Sequence, residues 1–295
     1  MSNVITAAMV KELRERTGSA MMDCKRALVA TGNIEDAIKK MREEGIAKAD
    51  KKSGRTTAEG VIFVMVNAVA NDGLILEVNS ETDFVSRHPD FTNFTKEIST
   101  VALENHINDV AVLSEAKLQD GTVIDEARKA LISKLGENIQ LRRMTSMQCD
   151  TGSVIGSYLH GTRIGVLVKL KGGDAALAKD IAMHIAAQRP TVIRPDQVSA
   201  ELIANEREIY AVQAKESGKP AEIVAKMIDG RISKFLDEVS LVGQPFIKDP
   251  GQKVSDVLKA HSAEVLEFTS FVLGEGIEKE ESNFAEEVMA QIRGA

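Results

Sequence analysis

The chain has 295 residues, of which 43% are hydrophobic and 27% charged, and its formal net charge at pH 7 is −7. This length and apolar content suffice for two or three units with cores of their own, so we expect a soluble multidomain protein. The acidic balance argues against extensive sequence-independent binding to nucleic acid, because such binding depends on neutralising phosphates with Lys and Arg. A protein partner fits the charge better.

The chain lacks the sequence features of secreted, membrane and cofactor-binding proteins. Met1-Ser2-Asn3 leads directly into an amphipathic helix, and no apolar run approaches the roughly eighteen residues of a membrane span. Cys24 and Cys149 are predicted to be free thiols in a reducing compartment. The sequence contains no phosphate-binding or dinucleotide-binding glycine pattern and no zinc-binding spacing of His and Cys. We therefore predict a cytoplasmic protein without cofactor or metal, and nothing in the sequence indicates an enzyme.

Residues 4 to 44 predict three short helices. Gly18 and Gly32 separate them, and Ser19 and Asn33 are candidate N-caps of the second and third helices. The polar, positively charged run Lys48 to Arg55 then predicts a linker. A nucleic-acid-binding patch is the alternative for this run, but so short a run is more often a solvated connector.

The middle of the chain repeats an order of two strands followed by a helix, which predicts two related α+β subdomains. The first copy comprises strands at Glu59 to Val66 and Gly73 to Asn79 and a helix at Phe91 to Leu103. The second comprises strands at Ser153 to Leu159 and Ile164 to Leu170 and a helix at Ala175 to Ala187. Between the copies, Ile124 to Leu135 predicts a helix and Asn138 to Met147 a strand.

Val198 to Val239 predicts two long helices, broken at Ser217 to Pro220, that close as an antiparallel hairpin. A dimerisation coiled coil is the alternative, which the short turn disfavours. The tail predicts a helix at Val254 to His261, a strand at Val265 to Leu273 and a final helix at Asn283 to Arg293.

Leu76 to Arg87 is the most informative stretch, because an apolar strand runs into a polar turn that carries Asp83 and Phe84 side by side. Aromatic residues make up only 4% of the chain, so this Phe is a candidate for contact with another molecule. The alternative is that Phe84 folds back into the core. Two histidines carry different expectations. His184 is predicted to be a helix residue that meets its own hydrogen-bond needs, and His160, beside Gly161, is predicted to lie exposed in a hairpin turn.

Several motifs, in the same order along the chain, resemble those of the bacterial elongation factor Ts family. They are Val10 to Gly18, Ala20 to Leu28, Leu76 to Arg87, Leu135 to Asn138, Gly156 to Tyr158 with His160-Gly161, Val239 to Leu241 with Gly243 to Phe246, and Gly274 to Glu278. The resemblance covers nearly the whole chain, and several independent motifs together are far more specific than any one of them.

The resemblance, together with the element pattern, predicts an α+β fold. An N-terminal three-helix (UBA-like) bundle and linker would occupy 1–55, and a duplicated α+β core would occupy 56–150 and 151–243. The antiparallel helical hairpin at 198–239 would be inserted in the second half of that core, and a small C-terminal module at 244–295 would complete it.

The resemblance also implies a function: guanine-nucleotide exchange on elongation factor Tu, in its GDP-bound and nucleotide-free states, by disturbing the Mg²⁺ and phosphate site. The residues expected to act there are Thr82, Asp83, Phe84 and Val85, in the family's Thr-Asp-Phe-Val motif. Further expected partner contacts are Met21, Met22, Lys25, Leu135, Gly136, His160, Lys179 and Ile247.

Some of these positions carry a second interpretation. At least one of Met21 and Met22 is expected in the bundle core, and Lys25 can be a solvated helix lysine. Beside Lys179 and Ile247, the chain departs from the family pattern: Asp180 replaces a basic residue and Lys248 replaces a Met.

Two other functions compete with exchange. One is a protein-docking module of the translation machinery without exchange activity, and the other is an RNA-binding translation factor, which the acidic charge disfavours. We expect no membrane contact and no direct nucleic-acid contact, and a homo-oligomer only through the complex with elongation factor Tu.

Overall fold

The computed structural model describes residues 5–69, 71–215 and 220–278. They form two compact units. The first unit contains the described residues up to Val61, then Glu77–Arg143 and the described residues from Leu273 onward; the second contains Ile62–Leu76 and Met144–Val272. Helices and strands are both abundant, as expected for an α+β protein. Within the described residues, no helix is long and apolar enough to cross a membrane.

The N-terminal part of the first unit consists of helices α1 (Ala7–Thr17), α2 (Met21–Thr31) and α3 (Ile34–Lys52). Gly18 and Gly32 end α1 and α2 in the left-handed conformation that glycine adopts without steric cost. Asn33 caps α3 as predicted, because its side-chain oxygen accepts a 2.9 Å bond from the Asp36 N–H. The prediction for Ser19 was wrong: Ala20 is the N-cap of α2 and no side chain caps this helix. Ser19 lies one residue too early, and its own N–H donates to Thr17 Oγ1.

Helix α3 continues through most of the run that the sequence predicted to be a linker. That prediction for Lys48 to Arg55 was wrong up to Lys52, where the helix ends. Ala49 is buried, and Asp50 forms a 3.6 Å ion pair with Lys129 of a later helix. Ala and Lys are good helix formers, so tertiary packing on one side suffices to keep this polar run helical.

The rest of the first half of the chain follows the predicted order of elements. The bounds are β1 (Glu59–Val66), β2 (Asp72–Ser80), α4 (Asp83–Ser86), α5 (Pro89–Glu104), α6 (Val110–Glu115), α7 (Ile124–Leu135) and β3 (Ile139–Gln148). The three strands form one sheet in the order β1-β2-β3. Two short helices were not predicted: α4 falls on the expected polar turn, and α6 is initiated by Asp109, whose side chain accepts from the Val112 N–H.

The second half contains β4 (Ser153–His160), β5 (Ile164–Lys171) and α8 (Ala175–Gln188), which repeats the order of two strands and a helix. Strands β4 and β5 pair antiparallel, with Ser157 opposite Leu167. Helix α8 packs closely on β4 at Gly156, where an added Cβ would lie 2.3 Å from the backbone of Ala178. The second core therefore joins one face of this sheet to the apolar face of α8.

Two long helices follow, α9 (Ala200–Lys215) and α10 (Ala221–Val239). They contact each other through a 2.9 Å ion pair between Arg207 and Asp229, and the guanidinium of Arg231 lies 5.5 Å from the ring centre of Tyr210. Most of the predicted turn between them, 217–219, lies outside the described residues, and the hairpin stays a prediction.

The C-terminal elements are β6 (Pro245–Phe246), β7 (Asp249–Lys253), α11 (Val254–Ala260) and β8 (Glu264–Val272). Strand β8 pairs antiparallel with β5, so the second sheet has the order β4-β5-β8. The helix and strand predicted from Val254 and Val265 are confirmed within one or two residues. The final helix predicted at Asn283 to Arg293 lies outside the described residues.

A fully buried carboxylate, that of Glu77 in β2, organises the end of the first sheet. It pairs with Arg142 at 2.9 Å and with Arg143 at 2.6 Å, and it accepts a 2.9 Å bond from the Gly274 N–H. Burial on its own raises the pKa of Glu77, but these bonds and one from Asn79 outweigh burial, so the pKa is lowered from its ordinary value of 4.5. The network ties β2, β3 and the turn after β8 together just before the chain reaches Asp83.

Replacing Glu77 by Gln keeps the shape of the side chain and removes the anion that two arginines share. We expect Glu77→Gln to lower the free energy of unfolding at pH 7 by about 3 kcal/mol, because breaking a buried ion pair leaves charge uncompensated. Because the pKa of Glu77 is lowered in the fold, its contribution is complete above pH 4.5 and is lost as the pH falls through the folded-state pKa.

Urea denaturation at several pH values measures both effects. The matched control is Glu275→Gln, which removes an exposed partner of Arg143 and should cost less than about 1 kcal/mol. Equal stability of wild type and Glu77→Gln at pH 7 would contradict the role given to this carboxylate.

Candidate partner-binding site

The turn after β2 presents an aromatic ring to solvent. The side chain of Phe84 in α4 is 83% exposed, so the alternative in which it folds into the core is wrong. Its neighbour Val85 is only 8% exposed and anchors the other side of the turn. Asp83 is half-buried, and its carboxylate forms a 2.8 Å ion pair with Arg87 one turn later. Exposing a Phe while burying the next residue suits a contact with another molecule.

A carboxylate from a distant segment holds the start of this turn. Glu137 accepts a 2.9 Å bond from the Thr82 N–H and a 2.6 Å bond from the Thr82 hydroxyl. The neighbouring residues make a matching contact, in which Glu81 accepts a 2.6 Å bond from the Asn138 N–H. Hydrogen bonds to a charged acceptor are shorter and stronger than neutral ones. Thr82 is therefore fixed to the segment that follows α7.

That segment carries two further predicted site residues. Leu135 is the last residue of α7 and half-buried, and Gly136 ends the helix with φ +82°, in the left-handed region. The Lys52 ammonium donates to the Gly136 carbonyl. The sharp chain reversal at Gly136 brings Glu137 to Thr82, so the structure brings Leu135 and Gly136 together with the Thr82 to Val85 motif.

Helix α2 presents a separate exposed stripe. Met21 and Met22 are 55% and 65% exposed, so the expectation that one of them lies in the bundle core was wrong. The buried face of the helix is made instead by Cys24, Ala27 and Leu28. Lys25 is exposed on the same side as the methionines. Sequence reasoning missed Val29, which is 66% exposed and lies one turn beyond Lys25, at i+4.

The other three predicted residues belong to the second unit. His160 is exposed, as predicted, but it is the last residue of β4 and the turn begins at Gly161. Its Nδ1 lies 3.4 Å from the Tyr158 hydroxyl. Lys179 is exposed on α8, and Ile247, between β6 and β7, is 37% exposed. The two departures from the family pattern contact each other, because Lys248 Nζ lies 2.6 Å from the Asp180 carboxylate.

A buried histidine supports Ile247. The Ile247 N–H donates to His184 Nδ1 at 3.2 Å, and His184 Nε2 lies 2.9 Å from the Gln244 side-chain oxygen. One ring nitrogen must therefore be an unprotonated acceptor while the other donates. Burial lowers the pKa of His184 from its ordinary value of 6.5, and the hydrogen bond to Gln244 opposes this only in part. The prediction that His184 is a helix residue with its hydrogen-bond needs met is confirmed, and its partners lie at Gln244 and Ile247.

Comparison with known proteins decides the family. A family model described as Elongation factor TS matches residues 81–275. The protein named Elongation factor Ts of Legionella pneumophila (strain Paris) is 56% identical over 292 residues, which are 99% of this chain and 99% of that relative. The chain belongs to the elongation factor Ts family.

Other relatives with the same name match over their full length. The Elongation factor Ts of Methylococcus capsulatus (strain Bath) is 55% identical over 99% of both chains, and that of Francisella tularensis subsp. novicida (strain U112) is 53% identical over 100% of both. The family model begins at Glu81 and so includes the Thr82 to Val85 motif, whereas Met21, Met22 and Lys25 precede it.

The neutral state of His184 can be tested directly. Because its pKa is lowered in the fold, the stability that depends on the neutral ring is complete above pH 6.5 and is lost as the pH falls through the folded-state pKa. We expect NMR titration of the His184 ring, assigned with His184→Asn, to give a midpoint below 6.5 and the Ile247 amide signal to change in parallel. A midpoint at or above 6.5 would be the contrary result.

Proposed function

We propose that this chain is a guanine-nucleotide exchange factor that accelerates release of GDP from elongation factor Tu during translation elongation. Its place in the elongation factor Ts family supports this role. The observation that carries the mechanism is the 83% exposed ring of Phe84 on a turn that is fixed on both sides. No covalent bond is made or broken in the exchange, so the chain is not an enzyme in the chemical sense.

The obstacle to exchange is a tightly held nucleotide. In such GTPases, backbone N–H groups cradle the phosphates, and Mg²⁺ is held in near-octahedral geometry by a hydroxyl, waters and phosphate oxygens. Phe84 wedges between side chains of the partner beside this site, while Asp83 exchanges its pair with Arg87 for polar contacts there. Small displacements of the groups that orient the metal ligands weaken the metal site strongly, and the hold on GDP weakens with it.

Thermodynamic linkage makes the effect reciprocal. If binding of this chain weakens GDP, binding of GDP weakens this chain by the same factor. The nucleotide-free complex is therefore the tightest one, and GTP completes the cycle by displacing the exchange factor. The exchange factor is regenerated in each cycle.

The remaining candidate contacts provide docking. The second helix of a UBA-like bundle carries Met21, Met22 and Lys25, which bind the nucleotide-binding domain of the partner. The end of α7 carries Leu135 and Gly136, which support the turn that holds Phe84. His160 and Lys179 contact the partner's third domain, and Ile247 is a further contact to the partner. Helices α9 and α10 form an antiparallel hairpin in this arrangement, and the complex assembles in the cytoplasm without nucleic acid or membrane.

Stopped-flow release of a fluorescent GDP analogue from elongation factor Tu, under excess unlabelled nucleotide, tests the proposal. We expect acceleration that rises with the concentration of this chain and then saturates. Phe84→Ala should lower the saturating rate by about tenfold or more while affinity falls much less, because the ring acts in the dissociation step beyond simple binding.

Val112→Ala is the matched control, since Val112 is an exposed apolar residue of α6 outside the proposed site, and it should behave as wild type. A folded wild-type protein that binds elongation factor Tu without accelerating release would support the docking-module alternative and sink the exchange role.

The docking role of α2 predicts the opposite kinetic pattern. Lys25→Ala should raise the half-saturating concentration several-fold, on the order of 1 kcal/mol of binding free energy, and leave the saturating rate unchanged. Lys11→Ala, which removes an exposed lysine of α1, is the control and should change neither quantity. A Lys25→Ala variant with a lowered saturating rate and unchanged half-saturation would refute a pure docking role.

A further inference from the structure

Two segments far apart in the chain exchange hydrogen bonds in a reciprocal way. Glu81-Thr82 follows β2, and Glu137-Asn138 follows α7. The acid of each pair accepts from a backbone N–H of the other pair, over 2.6 Å for Glu81 with Asn138 and 2.9 Å for Glu137 with Thr82. Two crossed bonds to charged acceptors fix both the distance and the orientation of the segments.

The turn that carries Phe84 has little stability of its own. Helix α4 contains only four residues, and two of its backbone bonds are long, 3.5 Å from the Ser86 N–H to the Thr82 carbonyl and 3.3 Å from the Arg87 N–H to the Asp83 carbonyl. A single helical turn is unfavourable in isolation, because few hydrogen bonds offset the ordering of its backbone. Its conformation must come from what holds its ends.

Thr82 is the residue through which the turn is held. It stands at the N-cap of α4, where a Thr hydroxyl usually accepts from the helix N–H groups, yet its hydroxyl makes no such bond. The hydroxyl instead donates to Glu137 at 2.6 Å. The Thr82 carbonyl accepts a 2.8 Å bond from the Ser80 hydroxyl, so each polar group of Thr82 has a defined partner.

We propose that Glu137 is a positioning residue for nucleotide exchange, which acts by clamping Thr82 and thereby holding Phe84 in its exposed orientation. This inference rests on the proposed function, and it assigns a role to a side chain that does not itself enter the partner. Thr82 is separated from Phe84 by two peptide units, and burial of Val85 anchors the other side of the turn. Without Glu137 the turn adopts other conformations, in which the ring of Phe84 has a different orientation.

The free protein gives the first test, which needs no partner. Amide hydrogen exchange should be faster in Glu137→Ala than in wild type, by at least about tenfold, at the Thr82 amide and at those of Ser86 and Arg87. In Glu137→Gln much of the protection should return, because the amide oxygen accepts from the Thr82 N–H. The control is Glu126→Ala, which removes an acid of α7 that pairs with Arg42 instead of Thr82.

Exchange kinetics give the second test. Glu137→Ala should lower the saturating rate of GDP release by about tenfold with little change in the half-saturating concentration, because misplacing a group by an ångström costs rate more than binding. Thr82→Val, which removes only the hydroxyl donor, should cause a smaller loss of about threefold. Glu137→Gln should recover most of the wild-type rate.

A double variant separates positioning from general destabilisation. In a Phe84→Ala background, Glu137→Ala should cause less than about twofold further loss, since the ring that it positions is already gone. Independent additive losses would overturn the proposal, as would a Glu137→Ala protein with wild-type rate and wild-type protection of the Thr82 amide. If Glu137→Ala does not fold, Thr82→Val decides: a wild-type rate together with wild-type protection of the Ser86 and Arg87 amides would overturn the proposal.

The two proposals fail separately. A wild-type protein that does not accelerate GDP release contradicts the proposed function, whereas the protection of the Thr82 amide in the free Glu137 variants still decides the positioning role. If Glu137→Ala and wild type give the same saturating rate of GDP release, only the positioning role is overturned.

Discussion

The hydrogen bonds between Glu137 and Thr82 are the interaction on which the candidate site depends. An exposed aromatic ring costs free energy in water, and a four-residue helical turn cannot hold one in place by itself. Here the left-handed conformation of Gly136 places the carboxylate of Glu137 beside Thr82, and this carboxylate fixes the turn. The buried Glu77 network fixes the strand from which the turn starts. The protein thus presents Phe84 from a framework that hydrogen-bonded carboxylates tie together.

Much of the secondary structure could be predicted because local signals were strong. The bounds of β1 (Glu59–Val66) and α7 (Ile124–Leu135) agree residue for residue with the prediction. A short apolar run defines the strand, and apolar periodicity with a terminal glycine defines the helix. The end of α3 was missed because Ala49 and Asp50 remain helical through contacts with α7, which lies far along the chain. Short helices such as α6 carry too few residues to show a period.

The candidate site was predicted less completely, and for a related reason. Local sequence left open whether Phe84 faces the core or the solvent, because the turn that carries the ring is bonded, through Thr82, to Glu137, which lies 55 residues beyond Thr82. The family resemblance indicated Thr82 to Val85 and Leu135 to Gly136 as site residues, and its motif at Leu135 to Asn138 includes Glu137 but assigned that acid no role. The support of Ile247 by His184 was likewise invisible, since the two residues are 63 positions apart and meet only in the folded second unit.

The central claim is that the ring of Phe84 is solvent-exposed in the free protein and becomes buried in the partner. The most direct measurement is the ¹⁹F spectrum of protein with 4-fluorophenylalanine at position 84 alone, recorded with and without elongation factor Tu and with a solvent paramagnetic probe. The account predicts strong relaxation by the probe in the free protein and a shifted, protected signal in the complex. A signal that binding leaves unshifted and equally accessible to the probe would contradict it.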